Sequence, residues 1–420
     1  MQHRMLRGFA LFAAVLLATT PAWAGNGHQL HGVGAVNSSM GGAGVALPND
    51  ALGALALNPA LLTQLDGNKM EFSAEYATPT NAFESQIGPF AGRTEEAGDS
   101  SLIPAFGFTL HKPGSNRAFG VGFLGLAGFG ADYPQTATNP LSAPQPVGFG
   151  RIYSSYTYLK VPITFAYQVT PNLSVGASFN AARATLAADP AGFATPDCSS
   201  PTNCVFPGVH ADNAWGFGAT AGVLWKATPN LNFGLSYSSE QEFEDFEWHT
   251  TVNNPTLPTY GRDRTVTLQL NSPAQLAAGI GYRPTGKLAI AFDAKQVFYE
   301  DAEGFKDVLG LRNINVYALG IQYQATPNLA LRLGGNHSDS AVESDRVFFT
   351  VPVPAVFEDH LTAGLGVRVS SSLVVNLGYY RIFENRVSGP IVSPAGPVPG
   401  TRVTTEMAMD SYLATFSFDL

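Results

Sequence analysis

Alternation at a period of two dominates the chain from about residue 69 to its end. In VPITFAYQV the apolar positions Val161, Ile163, Phe165, Tyr167 and Val169 face one way, and after a short break Leu173, Val175, Ala177 and Phe179 continue the row. A period of two puts alternate side chains on opposite faces of an extended strand, so each such stretch predicts a strand with one apolar face. The pattern recurs at Leu231, Phe233, Leu235 and Tyr237, at Leu288, Ile290 and Phe292, at Leu373, Val375, Leu377 and Tyr379, and at Tyr412, Ala414, Phe416, Phe418 and Leu420.

What separates the strands is as regular as the strands. TPNL occurs at Thr170 to Leu173, Thr228 to Leu231 and Thr326 to Leu329, and Pro284 to Leu288 and Ser370 to Leu373 occupy equivalent places. Pro presets the second position of a tight turn, Asn tolerates the next, and Leu restarts the apolar row. The uneven spacing excludes a solenoid of fixed repeat. Between successive tight turns there is room for an outgoing strand, a longer loop and a returning strand, so short turns gather at one end of the sheet and long loops at the other. That asymmetry is the signature of an outer-membrane barrel. Counted on this rule, strands fall near 69–78, 101–112, 117–131, 150–169, 173–186, 212–227, 231–249, 264–283, 287–300, 312–325, 329–340, 355–369, 373–385 and 403–420. The expected fold is all-β: an antiparallel transmembrane barrel of fourteen strands, closed because an open edge in hydrocarbon would strand its N–H and C=O groups.

Composition sharpens this reading. Only 13% of residues are charged, against 44 Gly, 28 Phe and 15 Tyr, a profile of strands and turns. Residues 1–24 carry Arg4, Arg7, the apolar run Phe9 to Ala18, and Ala22-Trp23-Ala24, which reads as an export signal cleaved after Ala24. Its removal takes away two Arg and no acid, so the net charge of −9 becomes −11, which disfavours nucleic acid as a partner. In an exported chain Cys198 and Cys204 read as a small disulfide loop. A metal site built from them with His210 and Asp212 lacks any recognised zinc spacing, and no metal or cofactor is expected.

Residues 25–66 break the pattern: rich in Gly and Ala and almost free of charge, they suit a compact plug inside the barrel, with 67–420 as its wall. At this point the chain resembles the FadL family of outer-membrane channels for long-chain fatty acids and other hydrophobic compounds, including the TodX type. The likeness rests on MGGAGVALPNDALGALALNPALLTQLD with Asn58-Pro59-Ala60, on NAWGFGATAGVLWKATPNLNFGLSYSSE, and on the TPNL-type turns. The resemblance implies a monomeric fourteen-stranded barrel with an N-terminal hatch, in contact with lipid bilayer and lipopolysaccharide. An apolar ligand is taken up among the outer loops, reaches an internal pocket and leaves sideways at a kinked third strand.

Several residues become candidates on that footing. Asn58, Pro59 and Ala60 match the hatch motif. Gly120, Gly122, Gly125, Gly128 and Gly130 lie in the third strand, where Gly marks bulges and close approaches, and packing against the hatch is the competing explanation. Gly120 to Gly125 also spells GxGxxG, but it lies within a strand with no helix after it, so it is discounted as a dinucleotide site. The resemblance further implies a basic pair that receives a carboxylate. Hand alignment puts Ala188 and Asp301 at those positions, which leaves Arg183 and Lys306 as candidate substitutes. The alternative cargo is a neutral aromatic or aliphatic hydrocarbon. From other classes, an adhesin, a general porin and an outer-membrane hydrolase stay open, although neither GxSxG nor HExxH occurs. The acidic run Glu240, Glu242, Glu244, Asp245 and Glu247 reads as a solvated loop base.

Overall fold

The computed structural model describes residues 25–98, 100–393 and 395–420; the expected export signal at 1–24 lies outside them. Fourteen antiparallel strands form one closed wall. They are β1 (Lys69–Ile87), β2 (Ser101–Leu110), β3 (Arg117–Tyr133), β4 (Ile152–Thr170), β5 (Leu173–Asp189), β6 (Val209–Thr228), β7 (Leu231–Ser238), β8 (Gln275–Thr285), β9 (Leu288–Val297), β10 (Ile314–Thr326), β11 (Leu329–Ser338), β12 (Asp359–Arg368), β13 (Leu373–Gly389) and β14 (Thr401–Asp419). Each strand pairs with its sequence neighbour, and β1 pairs with β14 from Lys69↔Asp419 to Ile87↔Thr401, which seals the ring. The TPNL turns are the two-residue connections β4 to β5, β6 to β7 and β10 to β11, all at one rim.

Alternation has the expected consequence. Phe165, Phe179, Trp215, Phe217, Trp225, Leu235, Leu333 and Tyr412 point outward and are exposed, as a wall in contact with lipid requires. No described helix is long and apolar enough to cross a membrane.

Two expected strands were too long. β7 stops at Ser238, Glu242–Phe243 rejoins β6 for two residues, and β8 starts only at Gln275; between them the chain folds into a separate hairpin, Phe246–Thr251 with Asp263–Leu268. Phe246 and Trp248 stack at 5.6 Å and are buried. A hairpin with one covered face alternates just as a membrane strand does, so period alone cannot assign a strand to its sheet. Cys198 and Cys204 are joined by a disulfide in a short hairpin, Asp197–Ser200 with Asn203–Val205. Asp197 of this hairpin pairs with Arg264 at 2.8 Å, tying it to the longer one.

Residues 25–65, hereafter the plug, are buried almost throughout and lie against inward-facing residues of the wall such as Thr415, Thr362 and Asp293. They contain two short helices, α1 (Gly34–Ser38) and α2 (Ala51–Leu57), and a 3-10 turn at Pro59–Gln64. Polar wall groups hold this plug by its backbone. Asp293 Oδ2 accepts the N–H groups of Gly44 (2.6 Å) and Val45 (2.9 Å), and Glu71 Oε2 accepts those of Ala51 (3.1 Å) and Leu52 (2.9 Å). Such charge-assisted bonds compensate carboxylates that would otherwise be costly to bury. Asp50 caps α2 through Gly53 N–H at 3.2 Å, and burial beside Glu71 pushes its pKa up to about 8.

Candidate functional site

The residues expected to matter divide by position. Asn58 is wholly buried at the junction of α2 and the 3-10 turn, where each polar atom of its amide is used: Nδ2 donates to Val45 O (2.8 Å) and Val223 O (3.1 Å), and Oδ1 accepts from Ala60 N–H (3.1 Å). The motif thus joins plug to plug and plug to β6. Wall glycines make room for it. A Cβ at Gly176 would come within 2.5 Å of the Pro59 carbonyl carbon, and one at Gly222 would strike the Asn58 amide.

The glycines of β3 serve more than one purpose. Gly120 sits beneath the plug, where a Cβ would meet Leu62 at 2.6 Å and Leu55 at 2.8 Å, whereas one at Gly122 would reach Leu55 only at 3.4 Å. At Gly125 the strand changes character. The β2 to β3 ladder runs only from Leu110↔Phe119 to Ala105↔Leu124, and the register with β4 shifts between Gly125 and Ala127. Between Leu124 and Asp132, whose carbonyl accepts Ala97 N–H at 2.9 Å, the wall therefore has a gap on the β2 side of β3. The N-terminal end of the plug lies against this free edge. Gln29 bridges Ala127, Leu30 N–H donates to Leu126 O (2.8 Å), and Gly128 N–H donates to His28 O (3.0 Å). Gly130 pairs with Ser155 of β4 further out.

Residues 25–30 form a strap across the gap, and the loop after β9 grips it. Tyr299 Oη accepts His28 N–H (2.9 Å) and donates to Asn26 O (3.2 Å). The His28 ring lies 4.8 Å from Phe129, 5.0 Å from Phe305 and 6.0 Å from Tyr299. Burial in this nest pushes its pKa down to about 3, so the imidazole is neutral.

Two cavities flank the strap. The outer one, about 210 Å³, lies among the long loops and is almost wholly apolar, with Phe129, Leu186, Phe193, Val308, Leu309 and Phe348 in its wall. Ser154 is a polar exception, and its hydroxyl is engaged by Pro352 O. Ala188 also lines this cavity, so the aligned position for a basic residue holds a methyl group instead. An enclosed apolar cavity of about 150 Å³ stays dry and binds benzene, so this one suits a hydrophobic solute.

The inner cavity, about 50 Å³, lies directly behind the gap, bounded by Gln29, Leu30, His31, Leu126, Tyr158, Gln241 and Gln275, with Lys160 from β4 and Lys295 from β9. Both lysines sit at inward positions, and Lys160 is 6% exposed. Neither ammonium forms an ion pair or hydrogen bond with any described residue. Asp293 shares the inward face of β9, but its carboxylate is bonded to the plug. Two cations facing one cavity, with Asp293 the acid beside them on β9, leave a local excess of positive charge that an anion would offset.

The candidate substitutes Arg183 and Lys306 do not reach either cavity. Arg183 shares the outward register of Phe179 and lies over Trp215, 5.9 Å from the ring, on the outer wall. Lys306 is exposed on the turn Phe305–Leu309, whose Phe305 points inward in its place, and Asp301 is exposed too. Closeness in sequence was misleading because neighbouring strand residues face opposite ways. Inward register in a membrane strand is the signal that would have found Lys160 and Lys295. The acidic run from Glu240 to Glu247 lies mostly at the surface, and no described His, Cys, Asp or Glu cluster is arranged to hold a metal ion.

Comparison with known proteins agrees with this architecture. Residues 15–419 match the family described as outer membrane protein transport protein (OMPP1/FadL/TodX). The chain is 25% identical to the long-chain fatty acid transport protein of Escherichia coli K12 across 91% of this chain and 96% of that protein. Among solved structures it is similar to a Pseudomonas aeruginosa FadL homologue (TM-score 0.74, 15% identity, covering 94% of this chain and 100% of that one). It is also similar to the Pseudomonas putida toluene transporter TodX (TM-score 0.69, 18% identity, covering 93% and 99%).

Proposed function

Because the chain belongs to the OMPP1/FadL/TodX family of outer-membrane transporters of hydrophobic compounds, we propose that its cargo is a long-chain fatty acid taken up passively. One observation carries this reading: Lys160 and Lys295 face one buried cavity where neither makes an ion pair, while Asp293, on the same face of β9, gives Oδ2 to the plug. A carboxylate supplies the missing charge, and the apolar outer cavity receives the hydrocarbon tail. The acid enters among the long loops, brings its head to the lysine pair, and leaves sideways when the strap at 28–30 comes off the edge of β3. Residues 25–66 act as the hatch, and no energy source is needed because the gradient drives the flow. The almost wholly apolar outer cavity favours a second reading, a neutral aromatic or aliphatic hydrocarbon that never uses the lysines.

Binding separates the two readings. Purified protein is titrated with labelled oleate, its methyl ester and toluene. The fatty-acid reading expects saturable oleate binding at least tenfold tighter than the ester. Equal binding of acid and ester, with toluene retained, moves the assignment to hydrocarbons.

The hatch motif gives a further expected result. Asn58→Ala combined with Pro59→Ala removes an amide that satisfies three backbone groups, each costing about 1–3 kcal/mol when buried unpaired. The barrel should assemble normally, as judged by heat-modifiable migration on gels, while fatty-acid uptake falls several-fold. Unchanged uptake at equal surface expression contradicts a hatch role for the motif.

A further inference from the structure

We propose that the lysine pair also returns a proton to the carboxylate it binds, so that the cargo passes through the wall gap as the neutral acid. The inference rests on the fatty-acid reading above and concerns the step after binding.

The chemistry follows from position. The inner cavity is walled by Gln29, Leu30 and Leu126, the residues that close the gap. A head group held there is one strap movement from hydrocarbon, where a carboxylate is prohibitively costly and a carboxylic acid is not. The proton must be acquired before exit. Lys160, 6% exposed, shares this desolvated cavity with the Lys295 ammonium and has no carboxylate beside it on its own strand, which makes it the readier donor of the two. In the transfer one Nζ–H bond breaks and an O–H bond forms on the carboxylate, leaving a neutral amine beside the remaining ammonium. The amine regains a proton from water as the next carboxylate arrives from outside. Each acid thus carries one external proton, and nothing is oxidised or reduced.

The other titratable groups facing the pair do not serve. Asp293 gives Oδ2 to the N–H groups of Gly44 and Val45, and its charge favours the Lys295 ammonium, which leaves Lys160 to give the proton. His31, from the plug, contacts Ser38 O at 3.2 Å through Nε2 and is neutral, its pKa pushed down to about 4 by burial. Tyr158 is a phenol, too weak an acid near neutral pH. The remaining polar lining, Ser238, Gln241 and Gln275 among it, does not titrate.

Arginine separates holding from giving, since a guanidinium binds carboxylate but does not deprotonate in proteins. Lys160→Arg with Lys295→Arg is reconstituted in liposomes and compared with the wild type, using labelled oleate and oleyl alcohol. The expected result is oleate binding within about threefold of the wild type, oleate transfer into the bilayer slowed tenfold or more, and alcohol transfer unchanged. Wild-type oleate transfer should slow at alkaline pH while alcohol transfer does not, a test that needs no variant. Oleate transfer at the wild-type rate in the double variant, equal slowing of acid and alcohol, or a flat oleate profile from pH 7 to 10 each overturns the proposal. A wild-type protein that binds no oleate removes the fatty-acid reading instead, and the two failures are distinct.

Discussion

Replacing Lys160 and Lys295 together by methionine is expected to weaken oleate binding by about 30-fold or more and to leave binding of toluene within about twofold. Truncating one side of a buried, charge-assisted contact costs about 2–5 kcal/mol, and each 1.4 kcal/mol is a factor of about ten in affinity. Methionine keeps length and flexibility while removing charge, so the cavity stays filled and the loss reports electrostatics. The barrel itself should be no less stable. Neither ammonium makes a described ion pair or hydrogen bond, and the relief of repulsion between two like charges offsets the lost attraction between Lys295 and Asp293. Calorimetric titration with oleate and a thermal melt in detergent test both halves. Oleate binding unchanged in the double variant would mean that the head group lies elsewhere.

Much of the architecture could be read from residue pattern because a barrel wall has two solvents. Lipid outside and plug inside impose alternation on every strand, and the TPNL turns mark one rim, so strand number and orientation follow without any long-range information. The pattern misled where a second hairpin, Phe246–Thr251 with Asp263–Leu268, obeys the same alternation away from the wall. Proximity along the chain points to Arg183, but its register with Phe179 turns it outward. Inward register, legible in the alternation of β4 and β9, places Lys160 and Lys295 at the cavity instead. Five glycines in β3 looked alike in sequence, yet Gly120 accommodates plug leucines and Gly128 binds the strap. Contacts of the second kind leave no mark on composition. His28 and Leu30 reach β3 through backbone N–H and C=O groups, which every residue but proline carries, so no side-chain pattern announces where the strap lies.

Fixing the strap should have the largest effect of all. The bonds from Leu30 N–H to Leu126 O and from Gly128 N–H to His28 O flank the Gln29↔Ala127 bridge. That makes it a narrow antiparallel pair, whose Cα atoms lie about 4.5 Å apart, within the span a disulfide tolerates, about 4.4–6.8 Å. With the strap free to leave, Leu126 O and Gly128 N–H lose their partners for a moment and the gap opens to lipid. With it tied, those groups stay paired and the inner cavity has no side exit. Wild-type protein treated identically serves as the control, since reduction also opens the native bond between Cys198 and Cys204. The decisive measurement is oleate uptake into proteoliposomes containing the Gln29→Cys, Ala127→Cys variant, with the cross-link verified by mass spectrometry. We expect uptake at background when the pair is oxidised and wild-type uptake once dithiothreitol is added. Oxidised, cross-linked protein that passes oleate as fast as its reduced form would contradict lateral release through this gap.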